Sequence, residues 1–189
     1  MTSCREIKAS PEECAKVFLN IILKGDKSNI ENVGISEFEY IQLRTALAYG
    51  IMKGFTNDDI DRANLTDEMK DNLKNDILTG FSKVDYEVVS SSVDKNAAKV
   101  DVSIRGINMN KVIEYILKKH QEEDTEAMTD DELAQASYKY VGEGIASGFI
   151  ADQPSTITLT FNKKGGTWVM QATDIDLLMM AAFGQENNK

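Results

Sequence analysis

Between Ser155 and Ala172 apolar and polar residues alternate with a period of two on both sides of a Gly-Gly turn, and this pattern constrains the fold more than any other stretch. Ile157, Leu159 and Phe161 fall on one face, Thr156, Thr158 and Thr160 on the other. After Asn162-Lys163-Lys164-Gly165-Gly166 the alternation resumes with Trp168 and Met170. Successive strand side chains point to opposite faces, so a slip of one residue would turn the whole apolar set into water. The stretch therefore reads as a hairpin with one buried and one solvated face. A similar hairpin lies upstream. Val84, Tyr86 and Val88 alternate with Asp85, Glu87 and Val89; past the Asp94-Lys95-Asn96 turn, Val100, Val102 and Ile104 alternate with Asp101, Ser103 and Arg105.

Two half-buried hairpins need a cover, and the rest of the chain reads as helix. Ser10-Pro11-Glu12-Glu13 forms a capping box with proline at the first helical position. Cys14, Val17, Phe18, Ile21 and Ile22 then recur at helical spacing up to a stop at Gly25. Ser36 with Glu39 opens a helix to about Met52, and Thr66 opens another with Met69, Leu73, Ile77 and Phe81 four apart. Between the hairpins Asn110 to about Glu122 and a segment from Thr129 are helical. In the latter, Gly142, Gly144, Ala146 and Gly148 permit close packing in a soluble protein. Asp174 is expected to cap a last short helix ending near Gly184. The fold class predicted is α+β: a curved antiparallel sheet of two hairpins packed against N-terminal and inserted helices. The expected partition is a flexible tether over 1–9, one domain over 10–184 and a disordered tail over 185–189.

A chain of 189 residues suffices for one real core. Its formal net charge of -10 argues against nucleic acid, which needs clustered Lys and Arg, and against docking of the folded domain on an anionic bilayer. The longest apolar run, Leu177 to Phe183, falls far short of the roughly 20 residues of a membrane span. Two cysteines, Cys4 and Cys14, cannot build a disulfide framework; Cys14 belongs to an apolar helix face and is expected as a buried thiol. Met1-Thr2-Ser3-Cys4 looks like the tail of a bacterial lipobox. If Met1 stands in place of an upstream leader, Cys4 carries the lipid and is the chain's one attachment to a membrane. If Met1 is the true start, Cys4 is an incidental thiol of a cytoplasmic protein.

The opening Ser10 to Leu19 with Lys24-Gly25-Asp26, and the closing Gly166-Thr167-Trp168-Val169, resemble the first helix and last strand of nuclear-transport-factor-two-like proteins. More narrowly, the chain resembles an uncharacterised family of Gram-positive bacterial lipoproteins with a domain of unknown function. The resemblance implies a cystatin-like cone with a cavity between sheet and helices, and no particular reaction.

Chemistry is sparse. The one histidine, His120, sits near a helix end where the dipole accounts for it, and no cysteine-histidine spacing suits zinc. Asn57, Asp59, Asp61 and Glu68 fall at calcium-loop positions one, three, five and twelve. Arg62 occupies the position of the turn glycine, so a solvated loop leading into the Thr66 cap is the preferred reading and no metal or other cofactor is expected. An enzyme would need a buried carboxylate; Asp174 and Asp176 lie near where a cone would open. The apolar segment from Leu177 to Phe183 reads as a core plug, and any side left exposed would suit a partner groove or a pocket rim. Tyr86, Met179, Met180 and Phe183 are the candidate binding residues. The function expected is non-catalytic: an extracytoplasmic lipoprotein domain binding a small ligand or another envelope protein. The alternatives are a small enzyme of the same fold, or an intracellular helper.

Overall fold

Ser10 opens the first helix as its neighbours require: its hydroxyl accepts the Glu13 amide proton while its own N–H donates to Glu13 Oε2 at 2.8 Å, with Pro11 next in line. The computed structural model describes residues 9–55, 64–123 and 127–184. Helix α1 (Pro11–Leu19) passes into a π-helical turn (Asn20–Lys24) that ends at Gly25 in the left-handed conformation. Ile21, Ile22 and Leu23 are all buried. In a regular α-turn these three would span about 200° of circumference. A short 3-10 turn (Ile30–Val33) leads to α2 (Glu37–Phe55), whose start is fixed by Ser36 and Glu39 in a reciprocal cap, with Ser36 N to Glu39 Oε2 at 2.7 Å.

Helix α3 (Asp67–Lys83) begins at Thr66, whose hydroxyl accepts from the Met69 N–H. Its far end is closed from outside. Lys24 Nζ donates to Ser82 O at 2.7 Å and Val84 O at 2.5 Å, placing a positive charge at the negative end of the helix. Burial lowers the Lys24 pKa from the ordinary lysine value, with Asp85 opposing the shift.

Strands β1 (Asp85–Asp94), β2 (Ala97–Arg105), β3 (Ser155–Lys164) and β4 (Thr167–Met170) form one open sheet in the order β1-β2-β3-β4, antiparallel throughout. With α4 (Met109–Glu122), α5 (Asp130–Ala146) and α6 (Thr173–Ala182), the described residues make an α+β fold of six α-helices and a four-stranded antiparallel sheet, the class the alternation predicts. Register follows the pattern: Val100 faces Leu159, Val102 faces Ile157, and Phe161 faces Met170. All six are buried. Trp168 is buried too, and Lys163 across the ladder lies 5.7 Å from its ring centre. The opposite face is polar: Asp101 accepts hydrogen bonds from Ser90 and Thr158 hydroxyls, both at 2.7 Å, and Arg105 pairs with Asp85.

A bulge between Val88 and Ser90 shifts the β1 register, so Ser91 falls opposite Val100 on the inner face. There its hydroxyl meets the Glu12 carboxylate and ties the start of α1 to the sheet edge. Helix α1 covers β1, β2 and β4, while α6 covers β2 and β3. The inserted pair α4–α5 packs mainly on itself and on α3, extending a helical layer beside the sheet. It joins β2 through an isolated bridge between Ile107 and Ile150 and through Ala151 N to Gly106 O at 2.8 Å. No described helix is long and apolar enough to cross a membrane.

Close approach of α3 and α5 depends on Gly80: a Cβ there would stand 2.6 Å from both Ile145 Cγ2 and Ile145 O. Alanine favours helix over glycine by about 1 kcal/mol, but overpacking against backbone costs about 1–3 kcal/mol. Gly80→Ala is therefore expected to lower stability in urea denaturation. An unchanged or raised midpoint would show that the two helices part without penalty.

Candidate functional site

Helix α2 is apolar on more than one side, which a surface helix with a single buried stripe is not. Leu47 and Ile51 are buried, whereas Phe38, Ile41 and Tyr49, from the other side of the helix, are 69%, 55% and 71% exposed. Helix α6 is similarly two-sided. Leu178, Ala181 and Ala182 are buried against the sheet, and the Ile107 N–H donates to Ala182 O at 2.8 Å. Met179 and Phe183 leave on the other side.

Asp174 does not cap α6: Ala172 stands at the N-cap with no side-chain hydrogen bond. Asp174 Oδ2 instead accepts the Thr160 N–H at 2.5 Å, and the Gln171 N–H donates to Thr160 O at 2.9 Å. Strand β4 pairs with β3 only from Phe161 onward, so one more rung of β3 needs partners. Satisfying that rung outweighs a cap on an exposed helix end. It also fixes how α6 leaves the sheet.

Between the outward side of α6 and the inner side of α2 lies a pocket of about 600 Å³. Leu43, Leu47, Gly50 and Ile51 form its α2 wall; Ile175, Asp176, Met179 and Phe183 form the wall opposite; Ile22 and Met109 close it. Phe183 is held edge-on against Phe81, with ring centroids 4.9 Å apart. Gly50 leaves room, since a Cβ built on it would meet nothing within 4 Å. The volume suits a small-molecule site, and Asp176 is the single ionisable lining residue. No strand residue lines it. The cavity expected between sheet and helices is thus found between helices, because α1 and α6 fill the inner face of the sheet with Val100, Val102, Leu159 and Phe161 fully buried.

Of the candidate binding residues, Met179 and Phe183 come together here; Met180 and Tyr86 do not line the pocket. Met180 is on the exposed side of α6. The Tyr86 hydroxyl donates to Asn20 Oδ1 at 2.6 Å, strapping β1 to the π-turn, and burial raises its pKa, with Asp26 adding to the rise. Asn57, Asp59, Asp61 and Cys4 lie outside the described residues; Glu68 is exposed in the first turn of α3. Cys14 is a free, fully buried thiol, its pKa pushed up to about 11 by burial. His120 Nε2 lies 3.0 Å from Ser137 Oγ, and its ring stands edge-on to Tyr140 in the α4–α5 interface.

A carboxylate that sequence inspection overlooks is Asp76 on α3. Helix α5 approaches so closely at Gly142 that a Cβ there would be 2.7 Å from Asp76 Oδ2. Burial raises the Asp76 pKa, and nearby Glu143 raises it further. Glu143 in turn accepts the Tyr115 hydroxyl proton at 3.0 Å. This desolvated acid belongs to the α3–α5 interface and lies outside the apolar pocket; nothing local in the sequence marks it. The apolar wall of α2 was also missed, although a glycine inside a helix apolar on two sides is a readable signal.

A carboxyl group whose pKa is higher folded than unfolded holds its proton better in the native state. Its ionisation therefore costs stability as pH rises through the folded value, and costs nothing below the unfolded one. Asp76→Asn is expected to raise the urea midpoint modestly at pH 7, with the gain vanishing near pH 3. An equal gain at both values would mean that the effect is not electrostatic.

Residues 11–183 match a family described as "Domain of unknown function (DUF5105)". No curated protein matches the chain. Among solved structures, a "putative lipoprotein (ycdA)" from Bacillus subtilis subsp. subtilis str. 168 superposes with a TM-score of 0.72 at 15% identity. The match takes in 88% of this chain and 53% of that one, so the chain spans about half the length of this structural relative. At that identity the likeness is one of fold.

Proposed function

We propose, for a chain that belongs to the DUF5105 family, a non-catalytic binding role at the outer face of a cell membrane: a domain tethered through lipid on Cys4 that holds a small apolar ligand between α2 and α6. The observation that carries the reading is the pocket itself. A space of about 600 Å³ walled by aliphatic and aromatic side chains, with Gly50 leaving it open, exposes apolar surface that a water-filled cleft would leave unrewarded. Its lining pairs no nucleophile with a base, which is why binding is preferred to chemistry. The lipid tether is supported by Thr2-Ser3-Cys4 shortly before the first helix and by the fold likeness to the Bacillus subtilis protein whose name calls it a lipoprotein.

A neutral fluorescent probe, N-phenyl-1-naphthylamine, is expected to bind the wild-type protein and to lose at least about tenfold in affinity on Gly50→Leu. That substitution places a side chain in the open space while improving helix propensity by about 0.8 kcal/mol. Equal probe binding by a folded Gly50→Leu protein would remove the pocket as the site. The tether is tested separately by mass spectrometry of the N-terminal peptide from the native host. A diacylglyceryl adduct on Cys4 supports anchoring; unmodified Cys4 behind an intact Met1 excludes it and favours an intracellular protein.

A further inference from the structure

Resting on that pocket reading, we infer that the ligand is a cationic amphiphile, its hydrocarbon part between α2 and α6 and its ammonium or guanidinium head against Asp176. The lining presents one charged side chain to an occupant, and it is an exposed carboxylate in the first turn of α6. The charge balance at that mouth is negative. A helix N-terminus contributes a partial charge of about +0.5, whereas Asp174 and Asp176 bring two carboxylates to the same turn. Asp174 spends one oxygen on the Thr160 N–H, leaving Asp176 as the acidic group that lines the pocket.

No lysine or arginine lines the pocket. Arg44, next to Leu43 on α2, points its guanidinium at the carbonyls of Ile21 and Ile22, at 3.0 and 3.1 Å, which engages it in holding α2 to the π-turn. A fatty acid or a phosphate-headed lipid would therefore set its anion beside Asp176 with no cation in the lining to receive it. The chain's net charge of -10 opposes anions at longer range as well. A protonated amine reverses both terms. The alkyl portion supplies affinity through the methylenes it buries, and the head contributes a charge-assisted hydrogen bond at the rim.

The test displaces bound N-phenyl-1-naphthylamine with three probes of equal chain length: dodecylammonium, dodecanol and dodecanoate, each below its aggregation concentration. Dodecylammonium is expected to compete about tenfold better than dodecanol, and dodecanoate worst. Asp176→Asn is expected to erase most of the preference for dodecylammonium over dodecanol, read as the ratio of their competition constants in the same variant. Glu87→Gln, which removes the same charge from the solvated face of the sheet, is expected to change little. Dodecanoate competing as well as dodecylammonium, an intact preference in Asp176→Asn, or an equal loss in Glu87→Gln would each overturn the inference while leaving the pocket in place. If none of the three probes displaces the dye, the pocket reading falls and the cationic ligand with it.

Discussion

A sheet with one apolar face cannot stay open to water on that face, and most of this structure is the consequence. Strands β2 and β3 carry the largest share of the load, with Val100, Val102, Ile104, Leu159 and Phe161 completely buried. Burying each such side chain is worth about 1.5–3 kcal/mol, so the cover is not optional. Two helices provide it from opposite ends of the chain. Helix α1 comes first and α6 last, which means the sheet closes only when the whole domain has been made. The π-turn after α1 lets three successive apolar residues enter the interior while Lys24 reaches across to the end of α3.

The same arrangement explains why a pocket arises where it does. Helix α6 is apolar around most of its surface, and the sheet uses only one side of it. Asp174 locks the helix at its start by completing a β3 rung, and the Ile107 N–H locks it near its end at Ala182 O. With both ends fixed, Met179 and Phe183 must face away from the sheet. Helix α2 approaches from that direction, held by Arg44 on two π-turn carbonyls and by the Tyr40 hydroxyl on Gly25 O at 2.6 Å. The anchoring contacts sit toward the first half of α2, and at Gly50 further along it the wall has no side chain to close the gap. The helical layer of α3, α4 and α5 is a separate packing problem, solved with glycines at close contacts and with polar groups such as Asp76, Tyr115 and Glu143 in the seams.

Much of the fold was legible because its signals are local. Capping boxes at Ser10 and Ser36, the Thr66 cap and the two alternating hairpins each predict an element from adjacent residues, and each is present. Asp174 was misread for the same reason. A lone aspartate before a helix is locally a cap, and only the early end of β4 gives it a stronger partner. Tyr86 was correctly placed on an inner strand face but not by the pocket, since its neighbour there is the π-turn, a feature with no sequence signature. The lining of the candidate pocket was half legible: Met179 and Phe183 belong to a terminal segment visibly apolar all round, whereas Leu43, Gly50 and Ile51 needed the position of α2.

By itself the sequence determined the α+β class, the order of elements and the buried faces, because periodicity and capping depend on residues a few positions apart. It also determined the acidic character of the chain. Only the tertiary structure decided which side of α6 meets the sheet, where the cavity opens, and that Asp176 stands alone among apolar walls. Those outcomes depend on how segments more than 100 residues apart come to border one space, as Ile22 and Leu47 do with Met179, and no local pattern encodes the angle at which two helices meet.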